Sequence, residues 1–188
     1  MNRFLLIMSV ALLVAGCDLF TTRHAETPDT GRSSWDIPRV PRDVLRNMTV
    51  ALAERNAVDY MRSVRPDTFS FVADAVTLSN HPELANWGVD QESHHITQLL
   101  SGGVLPPDST LAVIFENVEQ TQLSDSAYLR ENYTLLAGVT VPGVAHQLVG
   151  TAEFYLKTGP DGYWVIERWV DSRTEAQPTW SELKAAVQ

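Results

Sequence analysis

Cysteine is nearly missing from this chain: its 188 residues contain one, Cys17. A lone cysteine cannot close an internal disulfide or supply a thiolate set for structural zinc. Positive charge is also scarce. Fourteen Lys and Arg face 23 Asp and Glu, a formal charge of −9. Nucleic acid is therefore not an expected partner, because basic contacts to phosphate supply most of that affinity. No apolar run reaches the roughly 20 residues of a membrane-spanning helix. There is no Gly-x-Gly-x-x-Gly, no P-loop and no Gly-x-Ser-x-Gly. Dinucleotide, nucleoside triphosphate and hydrolase-elbow readings lose their support, and no cofactor is implied. An apolar content of 44% with 9% aromatics marks a globular chain, long enough for one domain with a sizeable core.

What is present begins at the N-terminus. Arg3 precedes an apolar run from Phe4 to Ala15, interrupted only by Ser9, and the run leads into Val14-Ala15-Gly16-Cys17. It is too short to span a bilayer and suits a secretory h-region. The stretch resembles the lipobox of bacterial lipoproteins. That resemblance implies a signal peptide over residues 1–16, cut before Cys17. Cys17 would then carry a thioether-linked diacylglycerol plus an N-acyl chain such as palmitate. The lipid bilayer is then a partner and the cell envelope the location, on the periplasmic or extracellular side. One acyl chain binds a membrane marginally at roughly 0.8 kcal/mol per buried methylene, whereas two or three anchor durably. The competing reading is an uncleaved buried helix with a structural cysteine. Without residues 1–16 the formal charge is −10. Such a chain is repelled by anionic headgroups, so attachment should come from the lipid alone. Residues 17–40, with Thr, Ser, Gly, Pro and no apolar period, read as the lipidated cysteine and a flexible tether reaching roughly 25 Å. Residues 41–188 read as a single domain.

Pro41 and Asp43 suit a first helical turn, and Val44, Leu45, Met48, Ala51 and Leu52 form a stripe at helical spacing. Continuing that helix would place Arg55 on the stripe, so a break near residues 54–56 is expected. Asn56 can cap a second helix with Asp59 at its third position. Pro66 stops that helix, and residues 68–72 alternate as a strand. A loop through His81-Pro82 and Trp87-Gly88 leads to Asp90 as N-cap of a third helix ending at Gly102-Gly103. Helical phase puts Ile96, Leu99 and Leu100 on its buried face and Glu92 about 33° from the centre of that face. His94 falls opposite and His95 on the flank. Residues 111–118, 128–141, 147–158 and 163–172 read as strands, with turns at Pro142-Gly143 and Gly159-Pro160-Asp161-Gly162. Residues 179–187 suit a short last helix. Helices followed by an antiparallel meander give an α+β fold with helices on one face of the sheet.

The helix pair, Tyr60, Pro66-Asp67-Thr68-Phe69-Ser70-Phe71, Trp87, Glu92, Gly150 and the stretch Trp164-Val165-Ile166-Glu167-Arg168-Trp169-Val170-Asp171 resemble the nuclear transport factor 2-like (SnoaL-like) superfamily over about residues 41–175. The resemblance implies a cone-shaped, cystatin-like fold in which a curved antiparallel sheet wraps the helices. It does not fix an activity, because the superfamily holds isomerases, cyclases, dehydratases, epoxide hydrolases and many non-enzymes. Its enzymes work from the mouth of the cone with a carboxylate or His base and a Tyr or acid donor. Glu92, Asp171, Glu167, Tyr60, Tyr133 and His95 are the available equivalents. Glu92, Asp171 and Tyr133 are the catalytic candidates; Tyr60, Trp87, Glu92 and Trp169 are the expected pocket lining.

Each candidate has a plainer reading. An inward Glu92 would have its pKa raised by desolvation, as a general base requires, yet first-turn acids commonly favour the helix dipole with the head in water. Strict alternation puts Val165, Glu167, Trp169 and Asp171 on one face and Trp164, Ile166, Arg168 and Val170 on the other. An aromatic on each face suggests cover on both sides, by the helices and by a second copy as a homodimer. Trp169 also suits a core position, and Asp171 a cap for the turn after it. His94 and His95, adjacent on a helix, cannot jointly hold one ion, so no metal is expected. Three functions remain open: a membrane-tethered small-ligand or protein-binding accessory domain, a cofactor-independent lyase or isomerase using a pocket carboxylate, and a structural dimer whose pocket is filled by side chains. The first leads, because no catalytic constellation stands out.

Overall fold

The structure is a computed structural model describing residues 34–188, so the lipobox, Cys17 and most of the expected tether lie outside the described residues. Residues 34–40, read above as tether, pack onto the domain. Pro38 is buried and its carbonyl accepts from Trp164 N, Arg62 lies over the Trp35 ring, and Asn47 bonds to both N and O of Asp36.

Helix α1 (Pro41–Ala53) starts where Asp43 Oδ2 accepts from the amides of Arg39 and Val40, and it buries the expected stripe. The break falls as expected. Arg55 takes φ 56°, and Asn56 accepts from Asp59 N to start α2 (Ala57–Met61). Turned off the stripe, the Arg55 guanidinium donates to the carbonyls of Leu105, Pro106, Pro107 and Ser109. Strand β1 (Ser70–Val72) is shorter than its alternation suggests. The expected loop after it holds α3 (Ala75–Asn80), capped by Asp74, and a 3₁₀ turn opened by Pro82. Asp74 was the legible signal for that helix. Helix α4 (Val89–Leu99) is capped at Gly88 rather than at Asp90, because Gln91 Oε1 reaches back to Gly88 N.

Strands β2 (Leu111–Gln122), β3 (Ser126–Ala137), β4 (Gln147–Thr158) and β5 (Trp164–Arg173) form an antiparallel meander. With β1 parallel to β5, the sheet order is β1-β5-β4-β3-β2. Helix α5 (Trp180–Ala186) closes the chain.

The expected alternation of β5 is wrong at one residue. Tyr155 pairs with Arg168 but Leu156 pairs with Ile166, so Glu167 is a bulge. Trp164 and Ile166 therefore face the same buried side as Trp169 and Asp171, while Arg168 is exposed. With both indoles on one side, this strand gives no reason for a second copy.

Candidate functional site

The concave side of the sheet, α1, α2 and α4 enclose a volume, and α5 fills it. Trp180 meets Trp169 edge-on with centroids 4.7 Å apart, and Phe71 meets Trp169 at 5.1 Å. Trp180, Leu183 and Lys184 are each no more than 1% exposed. A groove of about 580 Å³ lies outside this interior, against Trp35, Met61, Arg62 and Tyr163.

At the centre lies Glu92. Phase did turn it inward, and it is fully buried, so the solvated first-turn reading is wrong. The raised-pKa reading is wrong as well. Tyr60 Oη donates to Oε1 at 2.7 Å, Trp87 Nε1 donates to Oε2 at 2.6 Å, and Lys184 Nζ lies 2.6 and 2.5 Å from the two oxygens. Burial alone would raise the Glu92 pKa, but the adjacent Lys184 ammonium holds it below the ordinary carboxylate range, while burial lowers the Lys184 pKa against the pull of the Glu92 charge. A buried carboxylate with a depressed pKa and both oxygens engaged is a poor general base. Tyr60 is correspondingly pushed well up by burial and by the adjacent Glu92 charge.

The Lys184 ammonium also sits over three rings, with centroids at 4.7 Å (Phe71), 4.8 Å (Trp169) and 5.2 Å (Trp87). Sequence reasoning passed over Lys184, since a lysine in a short polar helix reads as surface. His95, beside the pair, donates through Nδ1 to Val187 O at 2.6 Å. Burial, reinforced by the Lys184 charge, brings its pKa down to about 4. It is neutral at pH 7, and its buried Nε2 has no hydrogen-bond partner among the described residues. His94 is exposed, so the two imidazoles point apart.

Asp171 and Tyr133 form a second buried cluster with α5. Tyr133 Oη donates to Asp171 Oδ1 at 2.8 Å and accepts from Trp180 N at 2.8 Å. Asp171 Oδ2 accepts from both N and Oγ of Ser181. Asp171 is thus a cap, as expected, but for the first turn of α5 rather than for the turn adjoining its own strand. Burial lifts its pKa despite these bonds, and burial beside Asp171 lifts Tyr133 far above the usual phenol range. Glu167 faces outward at the bulge, near Arg65 and Lys157. Thus Glu92, Tyr60, Trp87, Trp169 and His95 converge on one interior, Asp171 and Tyr133 meet beside it, and Glu167 is not part of either group. Among the described residues no group of three or more His, Cys, Asp or Glu could hold a metal, and no helix is long and apolar enough to cross a membrane.

The fold defined by this arrangement is an α+β cone. It is the nuclear transport factor 2-like, cystatin-like fold. At 13% identity the structure is similar to a candidate aromatic ring hydroxylase from Novosphingobium aromaticivorans, covering 78% of this chain and 95% of that one with a TM-score of 0.57. A conserved protein from Planctomyces limnophilus matches at 14% identity over 70% of this chain and 91% of that one, TM-score 0.54. A nuclear transport factor 2-like protein from Cytophaga hutchinsonii matches at 11% identity over 71% and 94%, TM-score 0.53. No family model matches the sequence, and no curated protein matches it. At these identities the likeness defines the fold and leaves activity open.

Proposed function

We propose that this chain is a lipid-anchored accessory protein of the cell envelope, a binding domain held at a membrane by acylated Cys17. In this reading the cone is a scaffold sealed by α5 and does not turn over substrate. Val14-Ala15-Gly16-Cys17 supports the anchor, and the non-catalytic reading is carried by the Lys184 ammonium against both oxygens of Glu92. The leading candidate base is thereby paired with a cation and buried. Asp171 is the one feature that favours the lyase or isomerase alternative, because its pKa is raised as a general base requires. Its oxygens are nevertheless engaged by Tyr133 and Ser181, and it is 2% exposed.

Two measurements test the reading on the full chain expressed in a bacterium. Intact-mass analysis of the membrane fraction should find Cys17 as an acylated first residue, and Cys17→Ser should carry no acyl mass. A panel of lyase, isomerase and hydrolase substrates should give no turnover. Turnover abolished by Glu92→Gln or Asp171→Asn would establish the enzyme instead, and an unmodified thiol with an intact leader would remove the anchor.

A further inference from the structure

The groups that surround the Lys184 ammonium, and the Tyr60 hydroxyl that holds its carboxylate, come from separate parts of the fold and none from the helix that carries the lysine. Glu92 belongs to α4, Tyr60 to α2, Phe71 to β1 and Trp169 to β5, while Trp87 precedes α4. Three aromatic faces and one carboxylate, with two hydrogen-bond donors fixing the carboxylate, have the composition of a cage for an organic ammonium. Folding alone does not call for such a cage, since a well-packed apolar group is often as stable in place of a buried ion pair. The three rings and the carboxylate all lie outside α5, which contributes the cation and the Trp180 indole packed edge-on against Trp169.

Helix α5 has seven residues and comes after an exposed connection in which Glu175 has φ 57°. Most of its other polar attachments are at its first turn, Asp171 and Asp74 to Ser181, Tyr133 to Trp180 N and Arg173 to Glu182, and one is at its end, where His95 donates to Val187 O. Those attachments leave the cage residues untouched when they break.

We propose that the cone of this protein is a binding site for a small linear primary alkylammonium, and that Lys184 is a tethered stand-in for that ligand which leaves with α5. The side chain fixes the class. Its ammonium lies against Phe71, Trp87 and Trp169 at the end of four methylenes, and n-butylammonium is that side chain detached from its backbone. The inference rests on the non-catalytic reading of Glu92 and is independent of the anchor.

The test uses the full chain with n-butylammonium as probe, n-butanol as the uncharged isostere, and matched ionic strength. In the wild type, a ligand that binds only the open form should accelerate amide hydrogen exchange in residues 180–187, saturably, with no such response to n-butanol. Lys184→Ala removes the internal competitor and should bind n-butylammonium at least about tenfold tighter than the wild type, and about tenfold tighter than it binds the alcohol. Equal binding of amine and alcohol overturns the proposal. So does wild-type exchange in α5 that stays unchanged at amine concentrations that saturate Lys184→Ala. Should that variant not fold, the wild-type exchange comparison decides alone. None of these outcomes depends on acylation or on turnover, so failure here is separable from failure of the proposed function.

Discussion

Glu92 shows what one residue's sequence context can and cannot convey. Its inward direction was legible, because helical phase depends on neighbours three and four positions away. Its protonation state was not, because the deciding charge is on Lys184, 92 positions further along. A buried pair of this kind is costly to break from one side, since the remaining charge has no solvent. Glu92→Gln and Lys184→Met should therefore each lower unfolding free energy by about 3–5 kcal/mol. The double variant, with neither charge left, should lose less than the sum of the two. Urea unfolding of all four proteins measures the coupling.

At the scale of elements, regular periodicity was read well and local irregularity poorly. The stripe of α1, the break at Arg55, the Asn56 cap and the four-strand meander are all consequences of spacing. The bulge at Glu167 is not, because an extra residue in one strand leaves no mark on composition. The same limit hid why position 150 is glycine. Gly150 lies opposite Tyr133 in the β3–β4 register, and a Cβ there would fall 2.6 Å from Tyr133 Oη and 2.8 Å from Ser172 O. Gly150→Ala should push Tyr133 away from Asp171 and loosen the cap on α5. A loss of about 1–3 kcal/mol is expected, in line with overpacked cores. The check is chemical denaturation followed by intrinsic tryptophan fluorescence, in which Tyr133→Phe/Gly150→Ala should be less impaired than the sum of the singles.

For the whole molecule, closure of the cone around neutral His95 makes stability depend on pH. The folded pKa of about 4 is below the ordinary value of 6.5, so as pH falls the unfolded chain takes up this proton first. The stabilisation is complete above about pH 6.5 and is lost as pH falls through 4. Asp171, whose folded pKa is raised, acts in the opposite sense: its contribution is present at low pH and lost as pH rises. Subtracting a His95→Asn profile isolates the imidazole. Relative to that variant, the wild type should lose on the order of 3 kcal/mol between about pH 7 and pH 4. A flat difference would mean that His95 carries a proton inside the fold.

The register slip in β5 has a consequence for how this gene can vary. Trp164 and Ile166 reach the interior in one phase of the strand, Trp169 and Asp171 in the other, and Glu167 is the joint between them. Substituting that glutamate changes a surface side chain. Losing its codon would restore an unbroken pleat and rotate everything on one side of it through half a turn, carrying an indole and its interior neighbour out to solvent. Length at this position is therefore held far more tightly than identity, and related chains should vary freely in the letter found there while rarely dispensing with it.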